Sequence, residues 1–584
     1  MRSENRLRFL SICVILFALV LVGKLYFVQM VEGDTFREKA AHQYVAGANY
    51  FDRGSIFFTQ KDGTLVPAAT VKTGFTLAIN PEQLSKTNAD TQAIYDAVSK
   101  IAPIDRSAFN KSAGKSTDPY EELAKRLTFE QADAVQALKI PGVSVYSDKW
   151  RTYPGNQMAA DALGFVGYGS DGKTLTGQYG LERFYEPVLA RPSDEAFVNF
   201  FAEVFSNIKE SVTPGESREG DVVTTIEPSV ESALEADLEK VQDQYKSEFT
   251  GGIIIDPQTG EIYAMALNPS YDPNSPQTVA NASIFRNRLV EDRYEMGSIV
   301  KALTMSAGID SGAVTADTRY NDPGCETLNK KTFCNYDNRS HGTAVTMQDV
   351  LNHSLNTGVA YVVKQMGNQN FINYMLRYGI ASTTGIDLPN EGKSLISNLF
   401  TGRDLEPAQA SFGQGIALTP IQTVRALSTL ANGGYLITPH LTKSINYKVG
   451  GQTTLEWPKG PQVLKTTTTD EISRMLTIVV DDYLKNGTVR LKNYSLAAKT
   501  GTAQIANPAG GYYQDHYLHS FFGYFPSYSP RFLIFLYTYY PKGVQYASET
   551  LTDTFIDMSK FLINYYDIPP DRDAPPPPYH SSTN

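Results

Sequence analysis

Three short runs of residues with the chemistry of acyl transfer follow one another through the C-terminal half of this chain. They are Ser298-Ile299-Val300-Lys301, Ser354-Leu355-Asn356 and Lys499-Thr500-Gly501-Thr502. The first pairs a hydroxyl with an amine one helical turn away, a nucleophile beside a group able to take its proton once that amine is neutral. The second offers a hydroxyl for proton relay and an amide to hold a substrate amide. The third is a cationic, hydroxyl-bearing stretch suited to a carboxylate, and glycine inside a strand often marks the close approach of another backbone. Together they suit a serine acyl-transferase acting on a peptide that ends in a free carboxylate. Singly they mean little. Ser-x-x-Lys recurs at Ser112–Lys115 and Ser206–Lys209, Ser-x-Asn at Ser444–Asn446, and Lys72-Thr73-Gly74 repeats the third. Order, wide separation and flanking residues carry the weight.

Each motif must be placed by an element. Gly297 can start a helix that the apolar run after Ser298 continues, so Ser298 falls in the first turn, where the helix N-terminus stabilises developing negative charge. Ser354 and Asn356 sit in a polar break before the helical run 359–366. Lys499 lies in a candidate strand around 496–503. Two further strands are expected near 520–525 and 532–540, and an earlier hairpin joins Gly252–Asp256 to Glu261–Ala266 through Pro257-Gln258-Thr259-Gly260. Ser229–Tyr245 has apolar residues at helical spacing. Early and late strands around a helix-rich middle predict one antiparallel sheet built from both ends of a domain. Further upstream, 73–81 reads as a strand, and 93–101 and 119–138 carry helical periodicity.

At 584 residues the chain exceeds a single core, and its 20% charged and 42% hydrophobic residues are ordinary globular usage. A net charge of −10, with no long basic run, argues against a nucleic-acid partner. Phe9 to Gly23 is apolar apart from Ser11 and small residues, Lys24 interrupts the run and Leu25-Tyr26-Phe27-Val28 continues it; Lys24, Tyr26 and Phe27 suit the interface end of a membrane anchor over 9–30, with a cleaved signal peptide as the alternative. Arg2, Arg6 and Arg8 precede it, which places the N-terminus in the cytoplasm and the bulk of the chain outside. Of the three cysteines, Cys13 falls in the anchor. Cys325 and Cys334 flank a polar loop in a compartment that permits disulfides, where a bridge would rigidify a surface hairpin without taking part in the chemistry. A metal site at that pair lacks ligands beyond His341, and His516 with His519 lacks a third, so no metal or cofactor is expected.

The motifs and their surroundings resemble the class B penicillin-binding proteins, monofunctional D,D-transpeptidases of bacterial cell-wall synthesis. The resemblance includes Arg53-Gly54-Ser55-Ile56, Lys61-Asp62-Gly63 (Asp62 where Asn is common), Arg151-Thr152-Tyr153-Pro154, Leu163–Gly167 and Gly180-Leu181-Glu182. It continues through Gly251-Gly252, Asn287-Arg288, Ser411–Gly415, Thr419-Pro420 and Ala431–Gly434, with Met296 where proline is usual. It implies an α/β (mixed α+β) architecture: cytoplasmic tail 1–8, transmembrane anchor 9–30, strand-rich pedestal 31–220, transpeptidase domain 221–566 with a central antiparallel sheet flanked by helices, and a disordered proline-rich tail 567–584. It implies that Ser298 is acylated by the penultimate D-alanine carbonyl, with Lys301 as base, Ser354 and Lys499 moving the proton, and Asn356 holding the substrate amide. Thr500, Gly501 and Thr502 would take the terminal carboxylate. β-Lactams would acylate the same serine. Implied partners are stem peptides and a SEDS-type glycan polymerase with division proteins, and the compact 164–182 segment points to the septal subgroup. The alternatives are an elongation enzyme, a D,D-carboxypeptidase or β-lactamase, and a non-catalytic scaffold.

Overall fold

The computed structural model describes residues 52–172, 174–191, 219–448, 451–574 and 579. The anchor expected at 9–30, Cys13 and the Ser206–Lys209 repeat lie outside them. No helix among the described residues is long and apolar enough to cross a membrane. Two compact units separate, one built on Val71–Trp150, the other on Gly54–Thr70, Arg151–Ala190 and the chain from 219 onward.

The first unit carries the strands that begin with Phe75–Ile79 and Glu121–Leu127, paired antiparallel with Phe75 opposite Leu127. Small helices such as Thr91–Val98 and Arg106–Ala113 accompany them, around cores of Leu77, Val98 and Leu127 and of Ile79, Ile94 and Phe109. Helix is expected throughout 119–138, but the first half is the strand Glu121–Leu127 and only Phe129–Ala137 is helical. Thr128 divides them: its hydroxyl accepts from the Gln131 amide while the Gln131 side chain accepts from the Thr128 amide. The repeated motifs here have structural roles. Lys72-Thr73-Gly74 lies within the strand Leu65–Ile79, and Ser112 and Lys115 both bind the Glu121 carboxylate.

The second unit holds a five-stranded antiparallel sheet in the order Ala497–Ala506, Tyr512–Phe525, Phe532–Tyr539, Phe249–Ile255, Ile262–Asn268. Chain ends far apart in sequence thus form one sheet, as expected. Every residue of Phe249–Ile255 is buried, because helices cover both faces, and a strand so placed reads as a continuous apolar run. On one face Ile254, Ile534 and Leu536 meet Leu234 and Leu238 of the helix Pro228–Tyr245 and Phe555 of the helix Thr552–Tyr565. On the other, Ile253, Leu533 and Phe535 share a core with Ala302, Leu303 and Met305. The register runs Lys499, Phe522, Phe535, Ile253, Met265 across the sheet, so Lys499 is the polar edge of a hydrophobic row.

The compact units do not follow a single cut at residue 220. Ile56 pairs in parallel with Val222, and the buried Arg151 guanidinium donates to Glu182 Oε1 at 2.6 Å and to the Gly54 carbonyl at 2.7 Å. Nor is the segment from 567 loose at its start. Ile568 is buried, Asp571 accepts from the Ser495 amide at 2.8 Å, and Arg572 forms a two-pronged pair with buried Asp481. These apolar and charged residues precede the proline run, and they find partners that composition alone does not reveal.

Candidate active site

Ser298 sits in a 3-10 turn, Gly297–Ile299, that leads into the helix Val300–Asp310. The turn is pinned through backbone. Gly297 has φ 64° and its amide donates to the Gly413 carbonyl at 3.2 Å, while the Ser520 hydroxyl donates to the Met296 carbonyl at 2.7 Å. A Cβ at Gly413 would overlap the Gly297 carbonyl. One at Gly501 would overlap the Ser520 hydroxyl and crowd Met296 O at 2.8 Å and Ile299 N at 3.0 Å. The nucleophile turn therefore lies directly on the Lys499–Thr502 strand, and both glycines are needed for that approach. The Glu295 carboxylate accepts from the Gly415 amide at 3.0 Å and from the Tyr512 hydroxyl, tying the same turn to the loop at 411–415.

Lys301, one turn along, is fully buried. Its Nζ donates to the Ser354 carbonyl at 2.5 Å and lies 3.2 Å from Ser354 Oγ. Lys499 reaches the same hydroxyl at 3.0 Å from the sheet side, and also bonds the Thr500 carbonyl at 3.2 Å. Ser354 adopts φ 54° in the break between the helices Met347–Asn352 and Asn356–Met366, a left-handed turn that brings both its carbonyl and its hydroxyl toward the two amines. Burial, with the charge of Lys499 second, holds Lys301 well below the ordinary lysine value; burial lowers Lys499 to about 7. Two amines around one hydroxyl, with no carboxylate of the described residues bonded to either, form a proton relay able to start from a neutral lysine.

Thr500 and Thr502 lie on the opposite side of the strand from Lys499, half-buried, and Thr502 Oγ1 accepts from the Ala547 amide at 3.1 Å. Asn356 opens its helix, and its side-chain amide donates to the Cys334 carbonyl at 2.7 Å. Cys325 and Cys334 are joined in a disulfide across the hairpin Cys325–Leu328 / Lys331–Cys334, which removes both from metal binding. The bridge, expected to rigidify a surface hairpin without taking part in the chemistry, closes a hairpin whose Cys334 carbonyl bonds Asn356. His519 uses both ring nitrogens on Thr550 and the Gln545 carbonyl. The sequence expectations assigned no structural task to Gly413, Ser520, Tyr512 or the hairpin backbone. Only the Ser411–Gly415 run carried a signal, its two glycines two residues apart.

A serine between a buried lysine pair, at the edge of a five-stranded sheet with helices on both faces, is the architecture of the penicillin-recognising serine acyl-transferases. Residues 250–556 match the family described as the penicillin binding protein transpeptidase domain, and residues 51–195 match the penicillin-binding protein dimerisation domain. The chain belongs to the class B penicillin-binding proteins. It is 27% identical over 562 residues to stage V sporulation protein D of Bacillus subtilis, covering 92% of this chain and 82% of that one. It is 24% identical over 574 residues to peptidoglycan D,D-transpeptidase FtsI of Buchnera aphidicola, covering 97% and 96%. The crystal structure of penicillin binding protein 3 from Mycobacterium tuberculosis, complexed with aztreonam, superposes with TM-score 0.68 at 20% identity, covering 92% of this chain and 100% of that one.

Proposed function

We propose that this protein is a peptidoglycan D,D-transpeptidase in which Ser298 attacks the penultimate D-alanine carbonyl of a stem peptide. The acyl-enzyme bond forms as the C–N bond to terminal D-alanine breaks. Neutral Lys301 takes the hydroxyl proton, and Ser354 with Lys499 delivers a proton to the departing amine. Asn356 holds the substrate amide, and Thr500, Gly501 and Thr502 take the terminal carboxylate. An amine of a neighbouring stem peptide then attacks the ester and restores Ser298. The observation that carries this reading is the Ser354 hydroxyl within 3.2 Å of Lys301 and 3.0 Å of Lys499. β-Lactams acylate the same serine. The test is the purified protein given a D-alanyl-D-alanine stem peptide and a D-amino-acid acceptor: exchange into the acceptor supports transpeptidation, whereas hydrolysis alone supports a D,D-carboxypeptidase.

The septal subtype rests on the compact 164–182 segment and on likeness to the transpeptidase named FtsI. On this reading the chain is anchored by residues 9–30 in the cytoplasmic membrane with its catalytic unit outside. It works beside a SEDS-type glycan polymerase and division proteins. A fluorescent fusion should gather at midcell in dividing cells; an even signal along the lateral wall would assign it to elongation.

A further inference from the structure

The Cys325–Cys334 hairpin is joined to the second motif by more than proximity. The Cys334 carbonyl accepts the Asn356 side-chain amide at 2.7 Å. The next residue, buried Asn335, accepts through Oδ1 from the Thr357 amide at 3.2 Å and from the Thr357 hydroxyl at 3.1 Å. Asn335 Nδ2 donates to both oxygens of Asp322, at 3.1 and 3.0 Å, and the Thr357 hydroxyl also donates to Asp322 Oδ1 at 2.6 Å. The strand ending the hairpin is therefore bonded to two consecutive residues, Asn356 and Thr357, in the first turn of the helix that carries the motif. The hairpin has its own anchor beside the nucleophile turn: Phe333 packs on Phe412 with ring centres 5.5 Å apart, in the run whose Gly413 receives the Gly297 amide.

We propose that the disulfide-closed hairpin, through the Cys334 carbonyl and Asn335, is a positioning element for Asn356 and so sets how strongly the enzyme favours substrates with an amide on the acyl side of the scissile bond. The inference rests on the assignment of Asn356 to the substrate amide. Asn356 Oδ1 accepts or Nδ2 donates usefully only if the side chain is held at one torsion, and the Cys334 carbonyl fixes Nδ2 and thereby the direction of Oδ1. The carbonyl is in turn fixed because Cys334 is covalently tied to Cys325, its directly opposed partner in the hairpin. Opening the bridge frees the hairpin end without touching the serine or either lysine. Asn335 and the two cysteines act through Asn356 and are positioning residues.

The test compares two probes on the full-length protein: benzylpenicillin, which has an acylamino group beside the lactam, and 6-aminopenicillanic acid, which lacks the acyl group. Acylation rates are measured for the native protein, the Cys325→Ser/Cys334→Ser double variant, Asn335→Ala and Asn356→Ala. The double variant and Asn335→Ala should each slow benzylpenicillin about tenfold, the factor for one hydrogen bond of ~1.4 kcal/mol, and slow the smaller probe less than about twofold. On an Asn356→Ala background, opening the bridge should add nothing. If a variant fails to fold, a dithiol that reduces the bridge to two thiols in the native protein, itself becoming a cyclic disulfide, gives the same comparison. Equal slowing of both probes, or no slowing, overturns the proposal. If Asn356→Ala itself leaves the ratio of the two rates unchanged, the substrate-amide assignment has failed and this inference with it. If that ratio falls while the hairpin variants keep the native one, only the hairpin role is rejected.

Discussion

A serine hydroxyl attacks a carbonyl slowly until its proton has somewhere to go, and in this protein Lys301, one turn along the helix, is the candidate base. Burial makes it usable. Lys301 is held well below its ordinary value by desolvation and by Lys499, and Lys499 falls to about 7. With Lys301 neutral as the base and Lys499 the proton donor, acylation should fall as pH rises through about 7 and Lys499 loses its proton; a rate unchanged over that interval would remove Lys499 from the relay. Lys301→Arg keeps the charge but cannot give it up. It should slow acylation by about 10²–10⁴-fold, the usual worth of a positioned base, with the far-ultraviolet circular dichroism spectrum unchanged. A folded Lys301→Arg protein acylated at the native rate would remove Lys301 from the chemistry. Residue types and their order made this part of the site legible from sequence. The Asn356 bond to a backbone carbonyl was not, because a carbonyl carries no sequence signature.

Between residue and molecule, the decisive contact is the nucleophile turn against the Lys499–Thr502 strand. Gly501 makes it, since a methyl there meets the Ser520 hydroxyl, Met296 O and Ile299 N at once. Gly501→Ala should cost ~1–3 kcal/mol of stability, as overpacked sites do, and slow acylation at saturating penicillin because the turn and the strand are pushed apart. Thermal melts and acylation kinetics check both halves, and native values of each would show that the strand can give way. The strands and the Pro228–Tyr245 helix were legible because their hydrophobic periods are unmixed. The 119–138 stretch was misread because Glu121–Leu127 carries apolar residues at both strand and helix spacing. Pairing with Phe75–Ile79 settles the ambiguity, and the Thr128–Gln131 capping box, visible in the sequence, marks where helix begins.

Across the second unit, the segments 54–70 and 151–190 are bound to the catalytic chain by long-range polar contacts that no local pattern announces, the Tyr185 hydroxyl on the Asp387 carboxylate among them. Another such contact is a cluster of acids, Asp161 and Glu231 buried and Glu235 half-buried. Asp161 accepts from the Ser270 hydroxyl, Glu235 from the Ala159 amide and Glu231 from the Met265 amide. Burial raises Asp161 to about 8 and Glu235 to about 7, with Glu231 also raised; the Glu235 charge adds to the rise at Asp161 and Glu231, Asp161 adds to it at Glu231, and Arg288 opposes it at Asp161. A carboxyl raised in the fold keeps a proton that the unfolded chain has lost, so its stabilisation is full below pH about 4 and drains away as pH climbs to 8. The melting temperature should fall between pH 5.5 and 8.5, and Asp161→Asn should fall less; parallel curves for the two proteins would reject the protonated cluster.

The central claim is that one serine, in one place, takes the acyl group. The direct measurement is covalent labelling by a fluorescent penicillin followed by mass mapping of the modified peptide. The account predicts one equivalent of label on Ser298, none on Ser298→Ala, and undiminished labelling of Ser112→Ala, whose Ser-x-x-Lys repeat is bound to Glu121 instead. Label that persists on Ser298→Ala, or that maps to another residue in the native protein, would contradict it.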